Sequence, residues 1–194
     1  MIRADDPIKE FLELYERAKR KEAGDATACA LATAGGSGFP SVRMVLLKAV
    51  DERGFVFFTN YTSRKSRELE ENPRGALCFH WETLRVQVRV EGGVERISEE
   101  ESDDYFAGRS RTSQIGAWAS KQSQPLESRA KLLARCVKYE TRFGLTTVPR
   151  PSFWGGFRIV PERIEFWFDQ PHRLHDRRLY TNESGRWTMQ RLFP

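Results

Sequence analysis

Residues 26–60 read ATACALATAGGSGFPSVRMVLLKAVDERGFVFFTN, and their pattern predicts the fold. Apolar residues recur at every second position on both sides of GGSGFP (35–40), which is typical of two strands joined by a glycine-rich turn. DERG (51–54) predicts a second turn, leading into the apolar run FVFFTN (55–60). The segment is therefore predicted to be a meander of antiparallel strands.

The flanking segments add helices and further strands. An amphipathic helix is expected over about 6–23, where apolar residues recur at helical spacing before Gly24. SRKSRELEENP (63–73) predicts a short helix with Ser63 as its N-cap and Pro73 beyond its end. Strands are expected at ALCFHW (76–81) and RVQVRVEGGVERI (85–97). A helical insert over about 98–143 opens with the capping-box pair Ser98 and Glu101.

The C-terminal part predicts four short strands separated by turn residues: FWGGFRIVP (153–161), RIEFWFD (163–169), RLHDRRLYT (173–181) and RWTMQRLFP (186–194). Strands, then helices, then strands again favour one sheet that closes on itself with helices packed outside. We therefore expect a single domain over 1–194, mainly β with peripheral α-helices, forming a closed or nearly closed barrel.

Composition narrows the functional classes. The 194 residues carry 32 basic and 27 acidic side chains, a net charge of +5, so a small partner is expected to be anionic. No nucleic-acid-binding motif accompanies this charge, and the three histidines lack the spacing of a metal site. The three cysteines are far apart and predict free thiols. Without an apolar run near the ~20 residues of a membrane span, and with a polar start MIRADDPIKE, a cytoplasmic protein is expected.

Cationic and hydroxyl side chains near strand ends suggest phosphate binding. Ser63, Arg64 and Lys65 stand where a helix begins, so backbone amides and two cations could converge on one phosphate, although composition alone favours an ordinary solvated helix start. Arg43 and Lys48 would face opposite sides of an unbroken strand. They serve one site only if a bulge or a subunit boundary intervenes.

Two further groups have a similar character. Tyr105, Arg109 and Ser113 are spaced by four, so one helix would align them as an anion cradle, the alternative being an ordinary exposed helix face. In RLHDR, Arg173, His175 and Arg177 would share one face of a strand, with Asp176 pointing away. Such a face suits an anion, but a nucleic-acid edge or a salt-bridged surface strand would look the same.

Seven segments stand in a fixed order along the chain: RMVLLK (43–48), FFTNYTSRKSREL (57–69), RVQVRVEG (85–92), YFAGRSRTSQIGAWASKQS (105–123), PSFWGGFRI (151–159), IEFW (164–167) and RLHDR (173–177). From about residue 6 to residue 194 they resemble the pyridoxine/pyridoxamine 5′-phosphate oxidase family. The resemblance implies a split β-barrel, a homodimer, and an FMN at the subunit interface built from both chains. It also implies oxidation of the two substrates to pyridoxal 5′-phosphate, with molecular oxygen as the electron acceptor and hydrogen peroxide as a product.

By position, the resemblance assigns the family's contacts to residues of this chain. The FMN contacts fall on Arg43, Met44, Val45, Leu46, Lys48, Phe58, Thr59, Arg64, Lys65, Gln87, Gln122, Ser123, Trp167 and Arg177. The substrate contacts fall on Lys48, Tyr105, Arg109, Ser113, Arg173 and His175. Arg173 and His175 are the implied catalytic residues, which position the substrate carbon C4′ against the flavin.

Two departures from the family pattern limit what is carried over. Many members have a longer basic N-terminal extension that closes over the substrate, whereas this chain begins a few residues before its first helix, so no lid contacts are assigned. Phe58 stands where some members have tyrosine, which removes a hydroxyl but keeps the aromatic ring.

Three other functions are alternatives. A related split-barrel flavin oxidase of phenazine biosynthesis would tend to lack the Tyr105, Arg109, Ser113 set and the RLHDR spelling, which are both present. A non-catalytic flavin- or haem-binding module would not need a second phosphate site. A basic nucleic-acid binder would not bind flavin.

Overall fold

A computed structural model describes residues 6–194; the first five residues, which belong to the expected domain and to the polar start, lie outside the described part. Helix α1 (Pro7–Lys21) begins after Asp6, whose carboxylate accepts a hydrogen bond from the Ile8 amide at 2.9 Å. Phe11, Leu14 and Ala18 are buried on its inner face. The expected N-terminal helix is confirmed.

A single antiparallel sheet of nine strands forms the rest of the framework. The strands are β1 (Ala28–Ala34), β2 (Pro40–Leu46), β3 (Ala49–Asp51), β4 (Gly54–Asn60), β5 (Arg74–Trp81), β6 (Val86–Arg96), β7 (Trp154–Phe168), β8 (Asp176–Glu183) and β9 (Arg186–Leu192). Their order is β2-β1-β5-β6-β7-β4-β3, with β8 paired to β7 and β9 paired to β8. Within the described residues β2 pairs only with β1 and β3 only with β4, so the barrel is split, not closed.

The prediction of four short C-terminal strands is wrong, because FWGGFRIVP and RIEFWFD form one strand. Strand β7 runs through Pro161 by means of a bulge: Gly92 pairs with Pro161 while Glu91 pairs with Arg163, which leaves Glu162 as the extra residue. A bulge tolerates proline since the ladder is already interrupted there. A Cβ on Gly92 would lie 2.0 Å from the Val160 carbonyl oxygen, so the close approach requires glycine.

Two apolar clusters hold the elements together. In the barrel, the ring of Phe11 from α1 contacts Phe55, Phe79 and Trp81 at centroid distances of 4.8, 5.1 and 5.7 Å. The alternation predicted for β6 is confirmed, with its valines turned into this core. Cys29 is buried and the other two cysteines are half-buried, and all three are free thiols, as expected.

The second cluster lies under the helical insert, which consists of α3 (Glu99–Ala107), α4 (Arg111–Ala119) and α5 (Arg129–Phe143). The capping box of Ser98 and Glu101 is confirmed. The chain turns between α3 and α4, however, so Tyr105 and Ser113 lie on different helices and the expected single helical row is wrong. Among residues 6–194 no helix is both long and apolar enough to cross a membrane.

Candidate active site

A cavity of about 420 Å³ opens between the ends of β2 and β4, the start of helix α2 (Arg64–Glu71), and the α3–α4 turn. We call it the main cavity. It brings together all four residues predicted to hold the substrate phosphate: Lys48, Tyr105, Arg109 and Ser113. It also contains eight of the fourteen predicted FMN contacts: Met44, Val45, Leu46, Lys48, Phe58, Thr59, Lys65 and Gln122. The predicted substrate contacts and these predicted FMN contacts, which are far apart in the sequence, therefore line the same cavity.

One end of the cavity is built around Lys65, at the first turn of α2. Its ammonium group donates hydrogen bonds to Thr59 Oγ1 at 3.0 Å, Gln122 Oε1 at 2.8 Å and Ser63 Oγ at 3.3 Å. All of these acceptors are neutral, and within the described residues Lys65 forms no ion pair. Burial, and to a smaller extent the nearby charge of Arg43, lower the pKa of Lys65 to about 8. Ser63 is the N-cap residue, as predicted, but its side chain does not cap α2, so the first amides lack a side-chain acceptor.

The other end is built around Arg109, in the turn between α3 and α4. Its guanidinium group lies 4.7 Å above the ring of Trp154, at the start of β7. Its Nη1 atom is buried and has no hydrogen-bond partner in the described structure. Burial lowers the pKa of Arg109 and raises that of Tyr105, whose ring stacks on Phe58 at 3.8 Å. A buried donor without an acceptor is costly, so this end is prepared for an anion.

Lys48 and Arg43 do not share an unbroken strand, because β2 ends at Leu46. Lys48 directly precedes β3, and its backbone amide donates to the Val56 carbonyl of β4 at 2.8 Å. Lys48 thus enters the cavity while Arg43 does not line it. Within the described chain the two residues therefore do not share one site, in agreement with the expectation that an unbroken strand would separate them.

Arg43 and Arg64, two predicted FMN contacts, are joined by Glu68. The Glu68 carboxylate accepts hydrogen bonds from Arg43 at 3.1 Å and Arg64 at 2.7 Å, and from the hydroxyls of Thr33 and Ser41 at 2.5 Å each. Burial opposes ionisation, but these hydrogen bonds outweigh it and lower the pKa of Glu68 to about 2. Sequence reasoning missed Glu68, although its spacing of four from Arg64 on a helix was a usable signal.

The remaining predicted residues form a second group, which we call the outer row: Gln87, Trp167 and Arg177 are cross-strand neighbours on β6, β7 and β8. Arg177 donates to Glu165 at 2.8 Å, and His175 packs against Trp167 with ring centroids 4.4 Å apart. Ser123 belongs to neither group; it is exposed beyond Gln122 with φ 69°.

The prediction that Arg173, His175 and Arg177 share one strand face is wrong. Strand β8 begins at Asp176, so only Arg177 lies in it, while Pro171–Arg173 form a 3₁₀ turn. Two of the three face carboxylates, since His175 Nδ1 lies 3.1 Å from Asp169 and Arg177 pairs with Glu165, whereas Arg173 forms no ion pair within residues 6–194. The expectation that Asp176 points away is confirmed, because it pairs with Arg178.

The main cavity and the outer row lie at opposite ends of β7. Trp154 opens this 15-residue strand and Trp167 lies one residue before its end. Within the described chain, no residue of the outer row lines the main cavity.

The split sheet with outer helices, carrying a cavity with cationic side chains at both ends, defines the chain as a split β-barrel protein built to hold anionic ligands. The chain belongs to the pyridoxamine 5′-phosphate oxidase family. The family description "Pyridoxamine 5′-phosphate oxidase" matches residues 8–143, and "Pyridoxine 5′-phosphate oxidase C-terminal dimerisation region" matches residues 154–194.

Relatives agree with this assignment. The pyridoxine/pyridoxamine 5′-phosphate oxidase of Myxococcus xanthus is 55% identical over 97% of this chain and 92% of its own length. The protein with the same description from Rubrobacter xylanophilus is 57% identical, covering 97% of this chain and 87% of its own. The crystal structure of PhzG from Burkholderia lata superimposes with a TM-score of 0.92 at 32% identity, over 98% of this chain and 94% of that one.

Proposed function

We propose that the chain oxidises pyridoxamine 5′-phosphate and pyridoxine 5′-phosphate to pyridoxal 5′-phosphate, with FMN as cofactor and dioxygen as electron acceptor. Family membership over nearly the whole chain supports the class of reaction. The observation that carries the proposal is the unpartnered, buried Nη1 of Arg109 in a cavity whose other end holds Lys65. Two anion-binding ends in one cavity fit two phosphorylated ring compounds.

The Lys65 end fits the phosphate of FMN. Lys65 offers a charge balanced by no carboxylate of the described chain, and the uncapped amides at the start of α2 add the partial positive charge of a helix N-terminus. Arg43 and Arg64, held by Glu68, supply further positive charge beside it. Gly116 lines the cavity, and a Cβ there would meet no atom within 4 Å, so the glycine leaves room for a ring.

The Arg109 end fits the phosphate of the substrate. Guanidinium groups bind phosphate oxygens with short, charge-assisted hydrogen bonds, and the hydroxyls of Tyr105 and Ser113 add neutral donors. Lys48 also lines the cavity, and we assign it to contacts with both ligands. The stacked rings of Phe58 and Tyr105 fix one wall of the cavity, since their planes lie only 9° from parallel.

We further propose that two copies of the chain form a homodimer, in which the outer row of each copy completes the main cavity of the other, with FMN between them. The match of residues 154–194 to a dimerisation region supports this arrangement. So does the placement of the two groups at opposite ends of β7, since no outer-row residue lines the main cavity of the same chain. Strand β2 also presents Val42, Met44 and Leu46, which are 69%, 64% and 41% exposed, as an apolar stripe suited to a second copy.

Bound FMN would accept a hydride from the substrate carbon C4′ and pass the electrons to dioxygen, giving hydrogen peroxide. The side chains of the protein would then bind the substrate and orient it. Arg109, Tyr105 and Ser113 hold the phosphate, and Arg173 and His175 position C4′. The amine substrate yields an imine that water hydrolyses to the aldehyde and ammonia, while the alcohol yields the aldehyde directly.

The test is to incubate the purified full-length protein with FMN, pyridoxamine 5′-phosphate and air, and to follow aldehyde and peroxide. Stoichiometric formation of both is expected, together with a yellow protein. Protein that binds FMN but forms neither product from either substrate would contradict the proposal. Oxidation of a dihydrophenazine carboxylic acid in place of both phosphorylated substrates would favour the phenazine-type alternative.

A further inference from the structure

Three residues that precede β8 contact the ring of His175: Trp167, Asp169 and Gln170. Trp167 packs against one face at 4.4 Å. The Gln170 amide donates a hydrogen bond to Nδ1 at 3.2 Å, and Oδ1 of Asp169 lies 3.1 Å from the same nitrogen. Within residues 6–194, Nε2 has no hydrogen-bond partner. The ring is therefore fixed by one edge and presents the other.

The two groups at Nδ1 suit different protonation states. A neutral ring with a lone pair on Nδ1 accepts from the Gln170 amide, whereas a ring protonated at Nδ1 donates to Asp169. Both states thus keep a partner without rotating the ring. The orientation of Nε2 is preserved whichever state is present.

Asp169 is itself held by Arg85, the residue before β6. The Arg85 guanidinium group donates to Oδ2 of Asp169 through Nε at 2.9 Å and through Nη2, and the Asp169 amide donates to the Arg85 carbonyl at 3.0 Å. These hydrogen bonds lower the pKa of Asp169, as does the neighbouring His175 to a smaller extent. The carboxylate therefore stays ionised and fixed on the β6 side.

The loop before β8 is strained. His172 and Arg173 have φ of 59° and 61°, in the left-handed region that side chains other than glycine seldom adopt. Two such residues in succession persist only where the surroundings determine their conformation. The contacts of Asp169 and Gln170 with His175 close this loop across Pro171–Arg173, so they also set the direction of Arg173.

We propose that Asp169, anchored by Arg85, is a positioning residue for the reaction, which holds His175 and the strained Arg173 turn in the orientation that the substrate requires. The inference rests on the proposed function, since it takes Arg173 and His175 as the residues next to C4′. Neither Asp169 nor Arg85 was a predicted site residue.

The test compares Asp169→Asn with a matched control, Glu162→Gln. The control removes the carboxylate of another surface pair, Arg74–Glu162 at 2.7 Å, which touches no predicted site residue. In the FMN-loaded protein, Asp169→Asn is expected to lower kcat about tenfold, with KM and bound FMN within a factor of two of the unaltered protein. Arg85→Gln should have the same effect, and the double variant should be no worse than either single one. Unchanged kcat, or an equal loss of FMN and turnover, would overturn the proposal.

A second readout does not depend on turnover. The chain has only three histidines, so the ring ¹⁵N signals of the FMN-loaded protein are resolvable, and the variants His80→Gln and His172→Gln together assign them. Asp169→Asn is expected to shift the Nδ1 signal of His175 and leave that of His80 unchanged. A His175 signal that Asp169→Asn leaves unshifted would overturn the proposed contact between Asp169 and His175, whether or not the protein oxidises its substrates. Failure of the unaltered protein to oxidise either substrate would instead contradict the proposed function.

Discussion

The main cavity and the outer row treat their cations in opposite ways. In the cavity, Lys48, Lys65 and Arg109 form no ion pair with any carboxylate of residues 6–194, and Nη1 of Arg109 lacks even a neutral acceptor. In the outer row, Arg177 pairs with Glu165, and the adjacent His175, which packs on Trp167, faces Asp169. The cavity keeps its cations unpaired, whereas the cation of the outer row has a carboxylate partner.

The difference indicates what each region meets. Buried cations without counter-ions destabilise a protein until an anion arrives, which suits phosphate binding. Side chains already paired with carboxylates gain little from another anion, but they are held in place, which suits contact with a ring. The same residue types, arginine above all, therefore serve binding in one region and orientation in the other.

The largest effect is expected from Arg173, in the turn that precedes β8. Arg173→Met should lower turnover roughly 100-fold, the size typical of losing one group that stabilises a transition state, while FMN retention changes little. Steady-state kinetics and the flavin absorbance of the purified protein measure the two quantities. An equal loss of both would mean that Arg173 supports the fold or the cofactor and has no special role at C4′.

A somewhat smaller effect is expected in the binding region. Arg109→Gln removes a charge-assisted hydrogen bond to phosphate, worth about 2 kcal/mol, or roughly 30-fold in kcat/KM. The loss should appear with pyridoxamine 5′-phosphate and be absent with pyridoxamine, which lacks the phosphate. Arg129→Gln, on an exposed helix start, is the matched control and should change neither value. Equal losses with both substrates would break the assignment of Arg109 to the phosphate.

The cavity should also take up a proton when FMN binds in alkaline solution. The pKa of Lys65 is about 8 without ligand, and a bound phosphate dianion favours the charged form and raises it. Below pH 8 Lys65 is already protonated and affinity is flat; above pH 8 affinity should fall, approaching tenfold per pH unit. Fluorescence titration of flavin-free protein with FMN measures this, and Lys65→Arg, which stays charged, should flatten the slope. Identical slopes would rule out Lys65 as the titrating group.

Much of the fold followed from local pattern. The period-two runs and the Ser98 capping box specify their elements through nearby residues alone, so they were correctly predicted. The C-terminal strands were not, because Pro161 is typical of a turn and its bulge depends on pairing with Gly92, which is distant in sequence. The helical row failed for a similar reason, since the turn between α3 and α4 places Arg109 by packing on Trp154.

In the candidate site, too, local sequence motifs were predictable and long-range pairs were not. The residues assigned to ligand contacts stand in recognisable sequence motifs, and many of them line one cavity. The carboxylates that hold them, Glu68, Glu165 and Asp169, were not singled out because most of their arginine partners come from other elements, Arg64 on the helix of Glu68 being the exception. In a sequence, a single acidic residue resembles an exposed surface charge, and only the fold shows which arginine it pairs with.

The smallest effect is expected at the paired cations beside the cavity. Glu68→Gln should destabilise the protein by about 2 kcal/mol, or roughly 4–8 °C in Tm, because Arg43 and Arg64 lose their shared carboxylate. The folded-state pKa of Glu68 is lowered from 4.5 to about 2, so its contribution is complete above pH 4.5 and is lost as pH falls toward 2. Thermal unfolding of both proteins between pH 7 and pH 2 should therefore show a gap that closes within that window. Glu127→Gln, which removes an exposed partner of Lys131, should give no such gap. A gap for Glu68→Gln that persisted unchanged to pH 2 would show that the carboxylate is held by packing and not by its charge, and the contrast between paired and unpaired cations would lose its electrostatic basis.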